Sequence, residues 1–253
     1  MKTTASLLAA PADTSSAAIP SRWLLAAELP RVALAWGLFP FHLPSLARAC
    51  RGDRRPVMVI PGFGASDAST TVLRRYLAWL DYDVHGWALG ENVGAKTVGM
   101  KNEVLIARLD TLFEQVGQKI TLIGWSMGGI MARMIARRRP EAVERLILLA
   151  SPFAGDPYAN RAWPLYERMS GHSLAHPVAR AQIAESQLAP PVPSVSIYSK
   201  SDGVVAWECC IEPAAPHSRN IEVSSAHCGF AFDATVLRTV ADVLSEPAYA
   251  LAA

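Results

Sequence analysis

The uncharged run Ile120-Thr121-Leu122-Ile123 passes directly into Gly124-Trp125-Ser126-Met127-Gly128-Gly129, and no proline follows until Pro140. The first segment reads as a buried strand and the last as the start of a helix that closes before Pro140. A Gly-x-Ser-x-Gly sequence is common by chance, so its setting between strand and helix is what gives it weight here. At such a corner a serine sits on a strained backbone with its oxygen clear of the sheet. Glycines two places before and two after let strand and helix approach without side-chain collision. The helix also turns the positive end of its dipole toward charge developing on that oxygen. Few architectures other than an open sheet flanked by helices contain this unit.

The rest of the chain agrees. Val57-Met58-Val59-Ile60 predicts a buried strand ending at Pro61-Gly62, and Ser69–Leu80 a helix with Val72, Leu73, Tyr76, Leu77 and Leu80 on one stripe. A weaker strand is expected around Val84–Ala88, then a helix capped by Asn102 and stopped near Val116 by Gly117. Further strands fall at Leu146–Leu149, Val192–Tyr198 and Ile221–Val223, and Asp233 caps a last helix through Leu244. Strand and helix in alternation imply α/β architecture, with a mostly parallel sheet covered on both faces. The interval of nearly forty residues from Ala154 to Pro191 carries Trp163, Tyr166 and Met169, then a helical run from Val178 to Leu188. An interval that long inside a compact domain predicts a cap over the strand ends.

Residues 1–55 form an apolar, slightly basic arm ahead of a domain spanning 56–253, with its cap insertion at about 154–191. The arm holds seven basic side chains against three acidic ones, although the whole chain carries only +2. That balance argues against nucleic-acid binding by bulk charge. Its uncharged run Val32–Ala47, sixteen residues interrupted by Pro40 and Pro44, is expected to fall short of a membrane span. Met1-Lys2 and the apolar Ala5–Ala10 make a poor secretory signal because Pro11 breaks the run, which points to a cytoplasmic protein. Trp23, Leu24, Leu25, Leu29, Trp36, Leu38, Phe39, Phe41 and Leu43 are too apolar to be left in water. They imply packing against the domain or a second subunit, as in a homodimer, or peripheral contact with a membrane or lipid surface. Cys50, Cys209, Cys210 and Cys228 lack metal-binding spacing. His172 and His176 are four apart but bordered by Gly171 and Pro177 with no third ligand, so no metal is expected.

On Pro61-Gly62-Phe63-Gly64, the Gly124–Gly129 corner, Tyr198–Val205 and Ser224–Phe230, the chain resembles the α/β-hydrolase superfamily, in particular its bacterial esterases and lipases, over about residues 56–245. Many relatives have His-Gly where this chain has Pro61-Gly62. The Trp125 form of the corner also resembles that of pimeloyl-carrier-protein methyl ester esterases, whose cap sequence is not evident here. The resemblance implies an α/β-hydrolase fold with a small helical cap and a triad ordered serine, acid, histidine along the chain. It assigns Ser126 as nucleophile, Asp202 in the loop after a strand as acid, and His227 as base. Glu208 and Glu212 follow a strand less directly; His42 and His85 precede the serine, and His217 has no adjacent strand.

The same resemblance places the Phe63 and Met127 amides in the oxyanion hole, with no cofactor. Trp125, Phe153, Trp163, Tyr166 and Phe230 fall on expected site-facing loops or the cap and suggest an apolar pocket for a small-molecule or lipid ester. A bond from Cys209 or Cys210 to Cys228 is one way the acid and base loops would be braced. Arg133 and the Arg137–Arg139 run are read as complements to the helix dipole. The expected function is carboxylic-ester hydrolysis. An acyltransferase would use the same triad, and a binding protein retaining the fold is a third reading.

Overall fold

The computed structural model describes residues 17–171 and 173–248. The segment Met1–Pro11 and His172, on which the signal and metal readings drew, lie outside them. In chain order the elements are α1 (Arg22–Ala47), β1 (Pro56–Ile60), α2 (Thr71–Trp79), β2 (Asp83–Gly86), α3 (Ala95–Val98), α4 (Glu103–Val116), β3 (Ile120–Trp125), α5 (Met127–Arg138) and β4 (Val143–Leu149). They continue through α6 (Trp163–Ser170), α7 (Pro177–Gln187), β5 (Ser194–Tyr198), β6 (Ser218–Glu222) and α8 (Ala234–Ser245). The six strands form one sheet in the order β2-β1-β3-β4-β5-β6, and every neighbouring pair is parallel. This is the α/β-hydrolase arrangement, with helices on both faces.

Alternation along the central strands divides the core. Val57, Val59, Ile147 and Leu149 face a cluster shared with α2 and α8, whereas Met58, Ile60, Leu146 and Leu148 face one shared with α4 and α5. A strand covered on both faces reads as a continuous apolar run, as β1 and the Leu146–Leu149 stretch of β4 do. Each fully buried Leu or Ile stabilises the fold by roughly 1.5–3 kcal/mol. Gly117 closes α4 with a left-handed backbone (φ 66°), and Asp233 accepts from the Thr235 and Val236 amides at the start of α8. Asn102 departs from expectation: it occupies the cap position of α4 at φ 57° but makes no capping bond with its side chain.

The arm does not break at its prolines. Arg22–Ala47 is one 26-residue helix containing Pro30, Pro40 and Pro44, long and apolar enough by length and composition to cross a membrane. A proline removes one backbone donor, and the rest of the helix continues around it. Trp36 stacks on Phe232 with ring centroids 4.8 Å apart, Tyr76 Oη donates to the Leu46 carbonyl, and Arg238 donates to the Ser45 carbonyl. One side of the helix therefore lies on the domain beside α2 and α8.

The interval Ala154–Pro191 folds as the helical cap, α6 and α7. Arg133 is what ties it down, and a complement to the helix dipole does not describe its role. Its guanidinium is fully buried over the Phe153 ring at 3.9 Å, pairs with Glu212, and donates to the Ser186 and Leu188 carbonyls at the end of α7. Burial pushes this guanidinium toward losing its proton, and Glu212 opposes that. Truncating Glu212 leaves a buried cation without its partner, so Glu212→Ala is expected to cost about 3–5 kcal/mol in urea denaturation. A loss below ~1 kcal/mol would show that the pair is not a buried anchor.

Candidate active site

Parallel strands bring successive C-terminal ends to one edge of the sheet, where the residues singled out above meet. Ser126 sits between β3 and α5 with φ 53° and ψ −120°, a region costly for a residue with a Cβ. Its N–H donates to the Leu149 carbonyl at 2.8 Å, and its carbonyl accepts from Gly129 at 3.0 Å, so both flanks hold the strained turn. A Cβ on Gly128 would strike the Ile60 and Pro61 carbonyls, and one on Gly124 would strike the Gly128–Gly129 backbone. The two glycines are required by close approach.

Asp202 follows β5 and is buried. Its Oδ1 accepts from the Val204 and Val205 amides, each at 2.8 Å, which leaves Oδ2 aimed at His227 Nδ1 at 2.7 Å. His227, in the short turn His227–Gly229 after β6, places Nε2 3.2 Å from Ser126 Oγ. A carboxylate only accepts, so the Nδ1 proton lies toward Asp202 and Nε2 is left to accept from the serine hydroxyl. Burial alone would disfavour the imidazolium, but the charge and hydrogen bond of Asp202 outweigh it, helped by the charge of Glu28. The pKa of His227 is raised from the ordinary 6.5.

Among the described residues no acceptor in the protein pairs with the Phe63 or Met127 amide. Both residues line a cavity of about 110 Å³ that opens on Ser126 and is closed by Phe153, Trp163 and Tyr166. Phe63 meets Tyr166 edge to face at 5.3 Å, which joins the loop after β1 to the cap.

Two expected contacts with substrate are absent from that lining. Phe230 is fully buried in the core under α8, because the turn after His227 directs it inward. Trp125, the last residue of β3, points to the other side of the strand end and packs beside the His227 ring at 6.1 Å. The cysteine bridge is also absent: all four cysteines are free, with Cys209 and Cys210 buried and Cys228 exposed. Burial pushes the Cys209 thiol up to about 11, and partial desolvation of the Cys228 sulfur, with the nearby charge of Glu28, raises that thiol to about 11 although the residue as a whole is exposed.

Sequence reasoning missed Glu28. Its carboxylate, on α1, accepts from the Gly203 amide at 2.8 Å and from the His227 and Cys228 amides at 3.0 Å. The available signal was one acid surrounded by Trp23–Leu29, which would be costly to bury without partners.

Compared with known proteins, residues 20–250 match the family described as the alpha/beta hydrolase family. Over 130 residues the chain is 28% identical to the pimeloyl-[acyl-carrier protein] methyl ester esterase of Shewanella sp. (strain MR-7), a match covering 49% of this chain and 46% of that protein. The chain thus aligns with about half the length of that curated relative. A Bacillus licheniformis lipase in its mature form superposes with a TM-score of 0.59 at 15% identity, covering 79% of this chain and 95% of the lipase. A monoacylglycerol lipase of Paleococcus ferrophilus gives 0.56 at 13% identity, covering 78% and 96%. At those identities the likeness is one of fold.

The balance around His227 has a direct spectroscopic consequence. In a histidine-selective NMR titration, His227 is expected to titrate above 6.5, and Asp202→Asn is expected to bring it down. A wild-type midpoint at or below 6.5 would contradict the assigned balance of charge over burial.

Proposed function

The chain belongs to the alpha/beta hydrolase family, and from that premise we propose that it hydrolyses carboxylic esters through Ser126, His227 and Asp202. The observation that carries the reading is the unbroken chain Asp202 Oδ2–His227 Nδ1 (2.7 Å) and His227 Nε2–Ser126 Oγ (3.2 Å) at the mouth of an apolar cavity. Ser126 Oγ attacks the acyl carbon as its proton passes to His227 Nε2. Asp202 holds the ring and stabilises the imidazolium. The oxyanion receives the Phe63 and Met127 amides, backbone donors already in place and costing no reorganisation. Collapse of the tetrahedral intermediate expels the alcohol, which takes the proton from His227. Water, deprotonated by the same imidazole, then releases the acid from the acyl-enzyme. Neutral His227 is the active base, so activity rises with pH through its raised pKa.

The cavity lining is chiefly apolar, with Phe63, Met127, Ile130, Phe153, Trp163 and Tyr166 around Ser126, which suits a hydrocarbon acyl group. With p-nitrophenyl esters, turnover is expected to rise from acetate to butyrate as the acyl chain enters this lining. Ser126→Ala should lose at least about a thousandfold in kcat. Turnover unchanged in that variant would remove Ser126 as nucleophile. Product analysis with added alcohol separates hydrolysis, which yields free acid throughout, from acyl transfer, which yields the new ester. Binding of ester without turnover by the wild type would leave the non-catalytic reading.

We also propose that α1 rests on an anionic lipid surface. Its outward side carries Trp23, Leu29 and Phe41 at 86%, 73% and 80% exposure. Arg22 opens the helix and Arg48 and Arg54 follow its end, which suits an acidic surface, whereas Arg51 and Arg55 are paired with Asp81 and Asp53. Its inward side is committed to the domain through Glu28, so the helix would lie along the surface and not across it. Flotation with vesicles containing phosphatidylserine is expected to carry the protein upward and Trp23→Ser with Phe41→Ser to abolish this. A dimer in sedimentation that those substitutions dissociate, with no flotation, would assign the same side to a second copy.

A further inference from the structure

Glu28 lies far from the catalytic loops in sequence, yet it is almost completely buried among them. One carboxylate oxygen accepts from Gly203, the neighbour of Asp202, and also from the His227 amide; the other accepts from Cys228. The acid and base loops are therefore fastened to one side chain that belongs to neither. Asp202 and His227 have their own hydrogen bond, and Ser199 Oγ accepts from the Ser225 amide nearby. Those ties join the two loops to each other, whereas Glu28 joins both to a third element.

The surrounding helix is built for this delivery. A Cβ on Gly203 would fall on the Leu24 carbonyl and the Leu25 amide, so the α1 backbone lies directly against the acid loop. One turn along, Arg31 donates to the carbonyl and hydroxyl of Ser201 at 2.5 and 2.7 Å. Without Glu28, the buried Gly203 and His227 amides and the part-buried Cys228 amide would lose their acceptor together, and the loops would move to relieve it.

We propose that Glu28 is a positioning residue for the Asp202–His227 pair, holding the acid and base loops in register through the Gly203, His227 and Cys228 amides and making α1 an integral part of the active site. This rests on the proposed roles of Ser126, Asp202 and His227 but is separable from them by experiment. Glu28 itself is not part of the substrate cavity lining, which comes chiefly from the loop after β1, from α5, from the segment after β4 and from the cap, with Val205 contributed by the acid loop. Loss of Glu28 should therefore act on kcat much more than on KM.

The groups facing His227 are Asp202 from the acid loop, Glu28 from α1 and the Ser126 hydroxyl from the β3–α5 corner. The Cys228 thiol is adjacent in the chain, while Arg31 meets Ser201 on the far side of the acid loop. Removing the negative charge of Glu28 favours neutral imidazole, so the acidic limb of the pH profile should move to lower pH.

The test uses the full chain with Glu28→Ala, Glu28→Gln and, as a comparator, Trp36→Ala, which loosens the same helix where it stacks on Phe232. With a p-nitrophenyl ester, Glu28→Ala should lower kcat at least tenfold with KM changed less than threefold. Glu28→Gln keeps one oxygen acceptor, for the Gly203 and His227 amides, and gives up the charge together with the acceptor for Cys228. It should recover most of kcat while shifting the acidic limb of kcat/KM downward, and Trp36→Ala should lose stability with that limb unmoved. A limb that stays put in Glu28→Gln, or a Glu28→Ala loss of kcat no greater than that of Trp36→Ala, would overturn the proposal. If Glu28→Ala does not fold, Glu28→Gln decides alone. The His227 NMR titration, made in a Ser126→Ala background, reads the same charge without turnover: a downward shift with Glu28→Gln supports the proposal even if no ester is cleaved, and none refutes it.

Discussion

Every strand of the sheet runs in the same direction, and that constraint organises the molecule. Parallel pairing puts the ends of β1, β3, β5 and β6 on one edge, so Phe63, Ser126, Asp202 and His227 meet although they span more than half the chain. It also requires each strand to be followed by a crossover, and helices occupy both faces as a result. The central strands are then buried on both sides, which is why β1 and the Leu146–Leu149 stretch of β4 carry apolar residues at successive positions. The insertion between β4 and β5 emerges at the same edge and can only cover the site.

Burial and charge are balanced at two places in different ways. At Arg133 the low-dielectric interior opposes the cation, and Glu212, two carbonyls and the Phe153 ring compensate for it. The outcome is structural, since the cap is held to α5. At His227 burial also opposes the cation, but two carboxylates face the ring and the balance tips toward the proton. A histidine poised this way suits a cycle in which it must take up a proton and then release it. Glu28 extends that balance to α1, linking the seating of an outer helix to the innermost chemistry.

Much of the site could be read from local pattern because its chemistry demands local pattern. The Gly124–Gly128 corner is legible since backbone collision allows few other residues there, and Asp202 and His227 stand in loops that directly follow strands. Phe230 and Trp125 were less legible. An aromatic residue near a catalytic loop has equal reason to face core or cavity, and only the turn after His227 and the parity of β3 decide which. The paired thiols fail for a related reason: adjacency of two loops does not bring their sulfur atoms together, and the two loops are held instead by a carboxylate.

From its sequence alone this protein is an α/β chain with a nucleophile-like corner, an acid and a base in the required order, and a cap over them. The corner, the strands and the cap follow from hydrophobic period, strand-to-helix turns and glycine spacing, all set by neighbours along the chain, and the acid and base are implied by the resemblance to a known family. Tertiary structure alone decided that α1 continues through three prolines, that Arg133 anchors the cap, and that Glu28 accepts from the Gly203, His227 and Cys228 amides. Each of these depends on groups that come together only after the sheet has formed. A buried charge is tolerated only where distant partners converge on it, and no sequence period records that convergence.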